Sequence, residues 1–465
     1  MDPKPAIEGA GAIFALLVTA LVVRDYYLRR KPRIRTDPPS VLPALLFCYA
    51  MPLFLLSRAY AVIGANPLYL PDVLAMICAG IALSRARWRH LEVFAVTCAL
   101  IAVLMAHAVL VGREHHYPDA IKGLVLVVYP VLCVPIAAWA SQRNDLERLL
   151  SYFPRVILPL IPLGLIITHG HHLIPSAYGL ELGIAGAFAV VPRMPNRKLL
   201  AVTFLVGSLL LIAFSAKRGV TLTLLLSVAA AWIATRRLHN LSKRVMVALA
   251  AGVLIALMGT AVVAGIITVP TSVPILGRLA ERASSNTTSA SNNVTLRELM
   301  WNYALTTTLN NDPLLGVGAY HPIQVTLGNN NIAKHLSSGV HNSFIGYTFY
   351  AGYPEGLLVS GVFAWGLLRL WKVRRRSIYA PAMFGAIVSV IATALTNVSF
   401  EVTYMGGPSW LALGVAFGLS AKLMDVPDPE LPVAAGRARR PLLAAGAGPS
   451  SEQAGLTRGD TASPA

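Results

Sequence analysis

The chain has 465 residues, 55% of them hydrophobic and 13% charged, with a formal net charge of +18 and a mean hydropathy of +0.62. Those proportions exclude an ordinary soluble domain and a chain disordered throughout, and they describe a polytopic membrane protein. The basic residues are spread over separated short loops instead of gathering on one face, which argues against nucleic acid as a partner.

In chain order, apolar runs approach the roughly 20 residues a helix needs to cross a hydrocarbon core. An open sheet cannot satisfy its backbone there, so each run is read as a helix. The runs are 6–23, 41–58, 70–84, 91–111, 120–140, 151–168, 177–192, 199–214, 219–235, 245–268, 356–371, 380–398 and 408–423. The run at 70–84 is short enough to be re-entrant. The expected fold class is therefore an all-α polytopic membrane protein with about 12 (12–13) transmembrane helices. The first run ends in Arg24, Arg29, Arg30, Lys31, Arg33 and Arg35, where a cleavable signal would need small residues, so it is expected to stay as an anchor.

That basic cluster begins an alternation. Arg85, Arg87 and Arg89 follow, then Arg143 with Arg148, Arg193 with Arg197 and Lys198, Arg236 with Arg237, Lys243 and Arg244, and Lys372 with Arg374, Arg375 and Arg376. Loops rich in Lys and Arg stay inside, which puts the N-terminus outside and the C-terminus in the cytoplasm. The expected organisation is an N-terminal transmembrane bundle (1–268), an outside loop domain with helices (269–355), C-terminal transmembrane helices (356–423) and a disordered tail rich in Ala, Gly, Pro and Ser (424–465).

Cys48, Cys78, Cys98 and Cys133 all fall inside predicted spans without Cys-x-x-Cys spacing and read as small apolar core residues. The His115–His116 pair and His169, His171 and His172 lack the spacing and the accompanying acid of a zinc site. The outside acids Glu114, Asp119, Glu298, Asp312, Glu355 and Glu401 form no Asp-x-Asp pair for a hard cation. Neither a metal nor a cofactor is expected.

The loop 269–355 is the one long outside connection, and long loops in compact proteins usually carry function or disorder. "PILGRLAERA" (274–283) has helical spacing, and "TLRELMWNYALTTTL" (295–309) opens with Thr295 and Glu298 in capping-box register. Residues 284–293 read as a hinge or lid, and "NDPLLGVGAY" (311–320) as a turn followed by a glycine-loosened extended piece. Cations that face outside run against the topological rule. Lys217 and Arg218 occupy a minimal outside turn, and Arg297 lies in the first turn of the capped helix, where the helix amides add positive potential. His341 precedes the next span. Singly, each has an ordinary explanation, a juxtamembrane arginine reaching lipid phosphate or a histidine in a loop. Together they make a phosphate site with an imidazole beside it. Tyr347, Phe349, Tyr350 and Tyr353 read as interfacial aromatics.

Three short motifs carry a resemblance. "VHNSFIGYTFYAGYPEGLL" (340–358) resembles the His-Asn motif of the O-antigen ligase and polymerase superfamily, "AKRG" (216–219) its outside Lys-Arg-Gly turn, and "RELMW" (297–301) its Arg-x-x-x-Trp helix start, in the same order. The resemblance implies a fold related to the membrane-embedded glycosyltransferases of the C type, with one long helical periplasmic loop. It implies transfer of a glycan from undecaprenyl diphosphate at the periplasmic face of the bacterial inner membrane, without a metal. Within that reading His341 takes the proton of the acceptor hydroxyl and Arg218 and Arg297 stabilise the departing diphosphate, while Lys217, Asn342, Trp301 and Tyr347 contact substrate. The ligases of the superfamily have twelve spans with both ends cytoplasmic, against thirteen candidates here. Pro354 and Glu355 stand where an apolar pair is more usual.

The compact size and the single late loop fit a ligase, whose partners are a lipid-linked glycan donor, a lipid A-core acceptor and membrane lipid. The alternatives are an O-antigen polymerase, a protein O-oligosaccharyltransferase, or, outside enzymes, an anion or lipid transporter. A transporter would carry broken helices in related halves, and the sequence has no internal repeat.

Overall fold

The computed structural model describes residues 64–65, 68–84, 88–114, 124–142, 175–214, 218–235, 296–319, 321, 323–326, 333–336, 340–397, 399–400 and 403–426, with isolated positions at 17, 20, 21, 24 and 46. The expected spans at 151–168 and 245–268, the helix at 274–283, the hinge at 284–293, Thr295 and the tail beyond 426 lie outside these residues, as do all but one position of the span at 41–58 and all but three of the span at 6–23.

A short ribbon of β1 (Gly64–Ala65) and β2 (Leu68–Tyr69) leads into α1 (Leu70–Leu83). Next come α2 (Glu92–Glu114), α3 (Leu124–Gln142), α4 (Pro175–Val190), α5 (Arg197–Phe214) and α6 (Arg218–Thr235). Helix α7 covers 296–311 and is followed by an antiparallel hairpin of β3 (Ile323–Thr326) and β4 (Ala333–Leu336), with Ile323 opposite Leu336. The chain closes with α8 (Ser343–Val373), α9 (Tyr379–Thr396) and α10 (Thr403–Met424). All of these belong to one compact unit, residues 1–427.

The residues explain why these are membrane helices. In α2, Phe94, Cys98, Ile101, Met105 and Ala108 are buried at helical spacing, while Val93, Val96, Leu100, Val103 and Leu110 are exposed on the opposite side. A helix apolar all round faces protein on one side and lipid on the other. Among the described residues, Glu92–Gly112, Val125–Gln142, Ser343–Val373 and Tyr379–Thr396 are long and apolar enough to cross a bilayer, and Leu70–Leu83, Gly179–Val190 and Leu222–Thr235 are shorter apolar helices. The protein is a helical membrane protein.

Lipid offers no hydrophobic drive between helices, so close backbone approach through small residues holds them together. In α10, Gly414 and Gly418 lie one turn apart against the carbonyls of Cys133 and Ala137 in α3, where any Cβ would collide. Helices α4, α6 and α9 meet around Ser227, whose hydroxyl lies 2.6 Å from the Gly183 carbonyl and 2.9 Å from that of Gly385. Ser389 donates to the Leu180 carbonyl at 3.2 Å in the same layer. Helix α8 packs against α2, α9 and α10. Its contacts include an aromatic cluster of Phe344, Tyr347, Phe363, Phe400 and Trp410, with Phe363 stacked on Phe400 at 5.0 Å.

At the arginine-rich end of α8, cations bind backbone. Arg369 Nη1 donates to the His90 carbonyl (2.8 Å), and Arg376 Nη1 donates to those of Leu423 (2.9 Å) and Met424 (3.1 Å). Asp425, just past α10, meets His90 Nε2 at 3.3 Å and Arg89 at 3.8 Å.

The expected helical membrane fold stands, with two short antiparallel hairpins, β1–β2 and β3–β4, added to it. One expectation is corrected. Helix α8 begins at Ser343, not near 356, because Asn342 caps it, and so it crosses the boundary expected between loop and span.

Candidate active site

The site grows from the way α8 starts and breaks. Asn342 is extended (φ −155°, ψ 109°), and its Oδ1 accepts from the amides of Phe344 (3.1 Å) and Ile345 (3.3 Å), which satisfies two of the amides a helix start leaves open. Ser343, buried beside it, donates to the Asn397 carbonyl (3.2 Å) and accepts from the Phe400 amide (3.0 Å), so the turn is fastened to the α9–α10 connection. Two turns later the helix breaks: Ala351 (φ −127°, ψ 17°) and Gly352 (φ 85°, ψ 173°) are non-helical. The break brings Gly356 against the Thr348 side chain, so the two arms of α8 form a tight corner.

Broken helices release carbonyls, and here they are taken up by the loop after α7. Asp312 Oδ1 accepts from the amides of Leu314 (3.0 Å) and Leu315 (2.9 Å), turning the chain. Residues Val317 and Gly318 then donate to the carbonyls of Phe349 and Tyr350, each at 3.0 Å, and Tyr353 donates to the Pro313 carbonyl at 2.9 Å. The Ala319 amide reaches the Ala108 carbonyl near the end of α2 at 2.7 Å. The described part of the expected turn and extended piece, 312–319, is thus a strap laid across the corner. Gly316 and Gly318 adopt φ of +74° and +92° within it.

Helix α7 is locked to the same corner. Its Met300, Ala304 and Thr308 are buried on one face. On the neighbouring stripe, Trp301 Nε1 donates to the Val340 carbonyl at 3.0 Å, and the Leu305 carbonyl accepts from Tyr353 Oη at 3.2 Å. Arg297 lies one turn before Trp301 on that stripe, half-buried, and burial pushes its guanidinium below the ordinary arginine value. It remains a cation, and a partly desolvated one binds anions more strongly than one in water. His341 follows Val340 directly, half-buried, with φ of +54°.

The structure ties Trp301 to the turn that carries His341 and Asn342, with Arg297 one helical turn before Trp301 on α7 and Tyr347 one turn further along α8. It gives several of them structural duties that sequence reasoning did not assign. Asn342 spends its oxygen on the cap, Trp301 spends its indole N–H on the chain, and Tyr347 is fully buried with its ring edge-on to Phe400 at 6.0 Å. Arg218 opens α6, whose packing reaches α8 through α9, and its side chain lies outside the described residues, as does Lys217 entirely. Among the described residues no group of three His, Cys, Asp or Glu side chains gathers as a metal site would require.

Sequence reasoning did not find the hydrogen bonds of Ser343 and Tyr353 or the β3–β4 hairpin. The Gly-Tyr-Pro step at 352–354 was the available signal for a helix corner, and the Gly-Asn-Asn-Asn run at 328–331 was the signal for a hairpin turn. No curated protein matches the chain. A family model described as O-Antigen ligase matches residues 202–359, a stretch that runs from α5 through α6, α7, the hairpin and the corner of α8. That matched stretch, which contains Arg218, Arg297 and His341, is similar to the O-antigen ligase family.

Proposed function

We propose that the protein is an O-antigen ligase that transfers a glycan from undecaprenyl diphosphate to lipid A-core oligosaccharide. It would work at the periplasmic face of the bacterial inner membrane, with about 12 helices, the loop 269–355 over the site and the tail in the cytoplasm. A glycosyl diphosphate is already activated, so its leaving group needs charge stabilisation more than a proton. Arg297 at the start of α7 and Arg218 at the start of α6 supply it. Loss of one preorganised donor of this kind typically costs about 10² to 10³ in rate. The acceptor hydroxyl is the weak nucleophile. His341 accepts its proton as the new glycosidic bond forms and the diphosphate departs with the electron pair of the old one.

The observation that carries this reading is the indole bond from Trp301 to Val340, which holds the Arg297 helix against the His341 turn. On this reading Arg297 serves as the anion-binding cation and His341 as the base, and neither role calls for a metal ligand.

The test is complementation of a host without its own ligase. A restored ladder of capped lipopolysaccharide supports the ligase, and long chains retained on undecaprenyl diphosphate identify a polymerase instead. Glycan on protein identifies an oligosaccharyltransferase. If Arg218→Ala, Arg297→Ala and His341→Ala all transfer normally at equal expression, the assigned site is wrong. Activity that disappears on exhaustive chelation and returns with a divalent ion refutes metal independence.

A further inference from the structure

We infer that Trp301 is a positioning residue for His341, acting through the hydrogen bond from its indole N–H to the Val340 carbonyl. This rests on the reading of His341 as the base, and it differs from a role for Trp301 in touching substrate.

The case begins with the backbone. His341 adopts φ of +54°, a left-handed conformation that non-glycine residues enter rarely and keep only where their surroundings enforce it. Both neighbours of His341 are fixed. After it, Asn342 is committed to the amides of Phe344 and Ile345, and Ser343 bridges the Asn397 carbonyl and the Phe400 amide. Before it, Val340 is fully buried, and its carbonyl takes the Trp301 N–H at 3.0 Å. A buried carbonyl left without a donor carries a desolvation penalty, so this bond selects the orientation of the peptide that enters His341. Every one of these restraints grips backbone or a flanking side chain, and together they aim the imidazole.

Trp301 also sets a spacing. It stands one helical turn after Arg297, so the same bond that fixes the His341 turn fixes its place along α7 relative to Arg297. At the far end of this stripe Tyr353 Oη reaches the Leu305 carbonyl, so α7 cannot slide without breaking that contact as well. A base and a cation that serve one transition state need their separation held closely, since a misplacement of about 1 Å can cost about 10²-fold.

The experiment measures single-turnover and steady-state transfer by the full chain in membranes, from a defined lipid-linked donor. Trp301→Phe keeps an aromatic ring and removes the N–H. We expect kcat to fall about 10- to 100-fold, with KM for the donor within about twofold of wild type because the phosphate-binding cations are untouched. On a His341→Ala background the same substitution should change the residual rate by less than about twofold, because a residue that acts through His341 has nothing left to position. Should Trp301→Phe fail to accumulate in the membrane, benzothienylalanine at position 301 preserves the bicyclic shape and removes only the donor. The same results are expected of it.

A wild-type kcat in these variants overturns the inference, and so does an equal loss on both backgrounds. A raised KM with unchanged kcat makes Trp301 a substrate contact and overturns it too. Full transfer by His341→Ala overturns the base assignment itself, an outcome distinct from an inactive His341→Ala beside an unimpaired Trp301→Phe.

Discussion

Gly352→Ala should unfasten the corner of α8, and a matched change nine residues later supplies the control. Gly352 has φ of 85° and ψ of 173°, a region that residues with a Cβ enter at a cost of about 1–3 kcal/mol. A Cβ there would also drive into the Leu314 carbonyl and approach the Leu315 nitrogen to 2.8 Å, which pushes the strap at 312–319 away. The strap is held to the corner by the Val317, Gly318 and Tyr353 amides, bonds worth about 0.5–1.5 kcal/mol each. Strain plus the loss of one or two bonds gives a destabilisation of about 3 kcal/mol. Gly361 lies in the long arm of the same helix with no atom within 4 Å of its would-be Cβ, so Gly361→Ala should stabilise by about 0.5–1 kcal/mol through helix propensity. Thermal unfolding of the detergent-solubilised full chain reads both, and glycan transfer in cells should fall only for Gly352→Ala. Equal midpoints for the two variants would refute the reasoning that the break is a built feature.

Asn342→Ala should lower stability by about 1 kcal/mol by uncapping α8, whereas Asn342→Asp keeps an acceptor and should lose much less, as seen in the same unfolding assay. Ser227→Ala should cost only about 0.6–1 kcal/mol, the scale of a hydrogen bond between membrane helices, while Ser227→Leu should prevent α4, α6 and α9 from meeting and abolish accumulation in the membrane. Arg376→Gln removes the guanidinium donor at the last carbonyls of α10, and limited proteolysis should then cut near residue 425 faster than in wild type.

The helices were legible wherever length and apolarity alone decide. Runs read at 91–111, 199–214, 219–235 and 380–398 correspond to Glu92–Glu114, Arg197–Phe214, Arg218–Thr235 and Tyr379–Thr396. The helix from Thr295 was also expected, and the described part runs 296–311. The start of α8 was not found, because Ser343–Tyr350 is too polar and aromatic to read as a span. What makes it helical is a cap at Asn342 and bonds to Asn397 and Phe400, more than fifty residues away. The corner was hidden for the same reason. A sequence shows that Gly352 and Pro354 disturb a helix, but not that amides at 317 and 318 fill the carbonyls so released. Trp301 was noticed through its spacing from Arg297, yet its partner, a main-chain oxygen at 340, has no signature in residue identity.

Because α8 is gripped at both extremities, by a strap and an indole where it begins and by arginine contacts with His90, Leu423 and Met424 where it ends, it serves as a fixed strut. Tilting it would break main-chain bonds at two distant places at once. Motion elsewhere in the bundle therefore leaves both arms of this kinked helix in place, and the turn at 341–343 keeps its orientation while other helices shift.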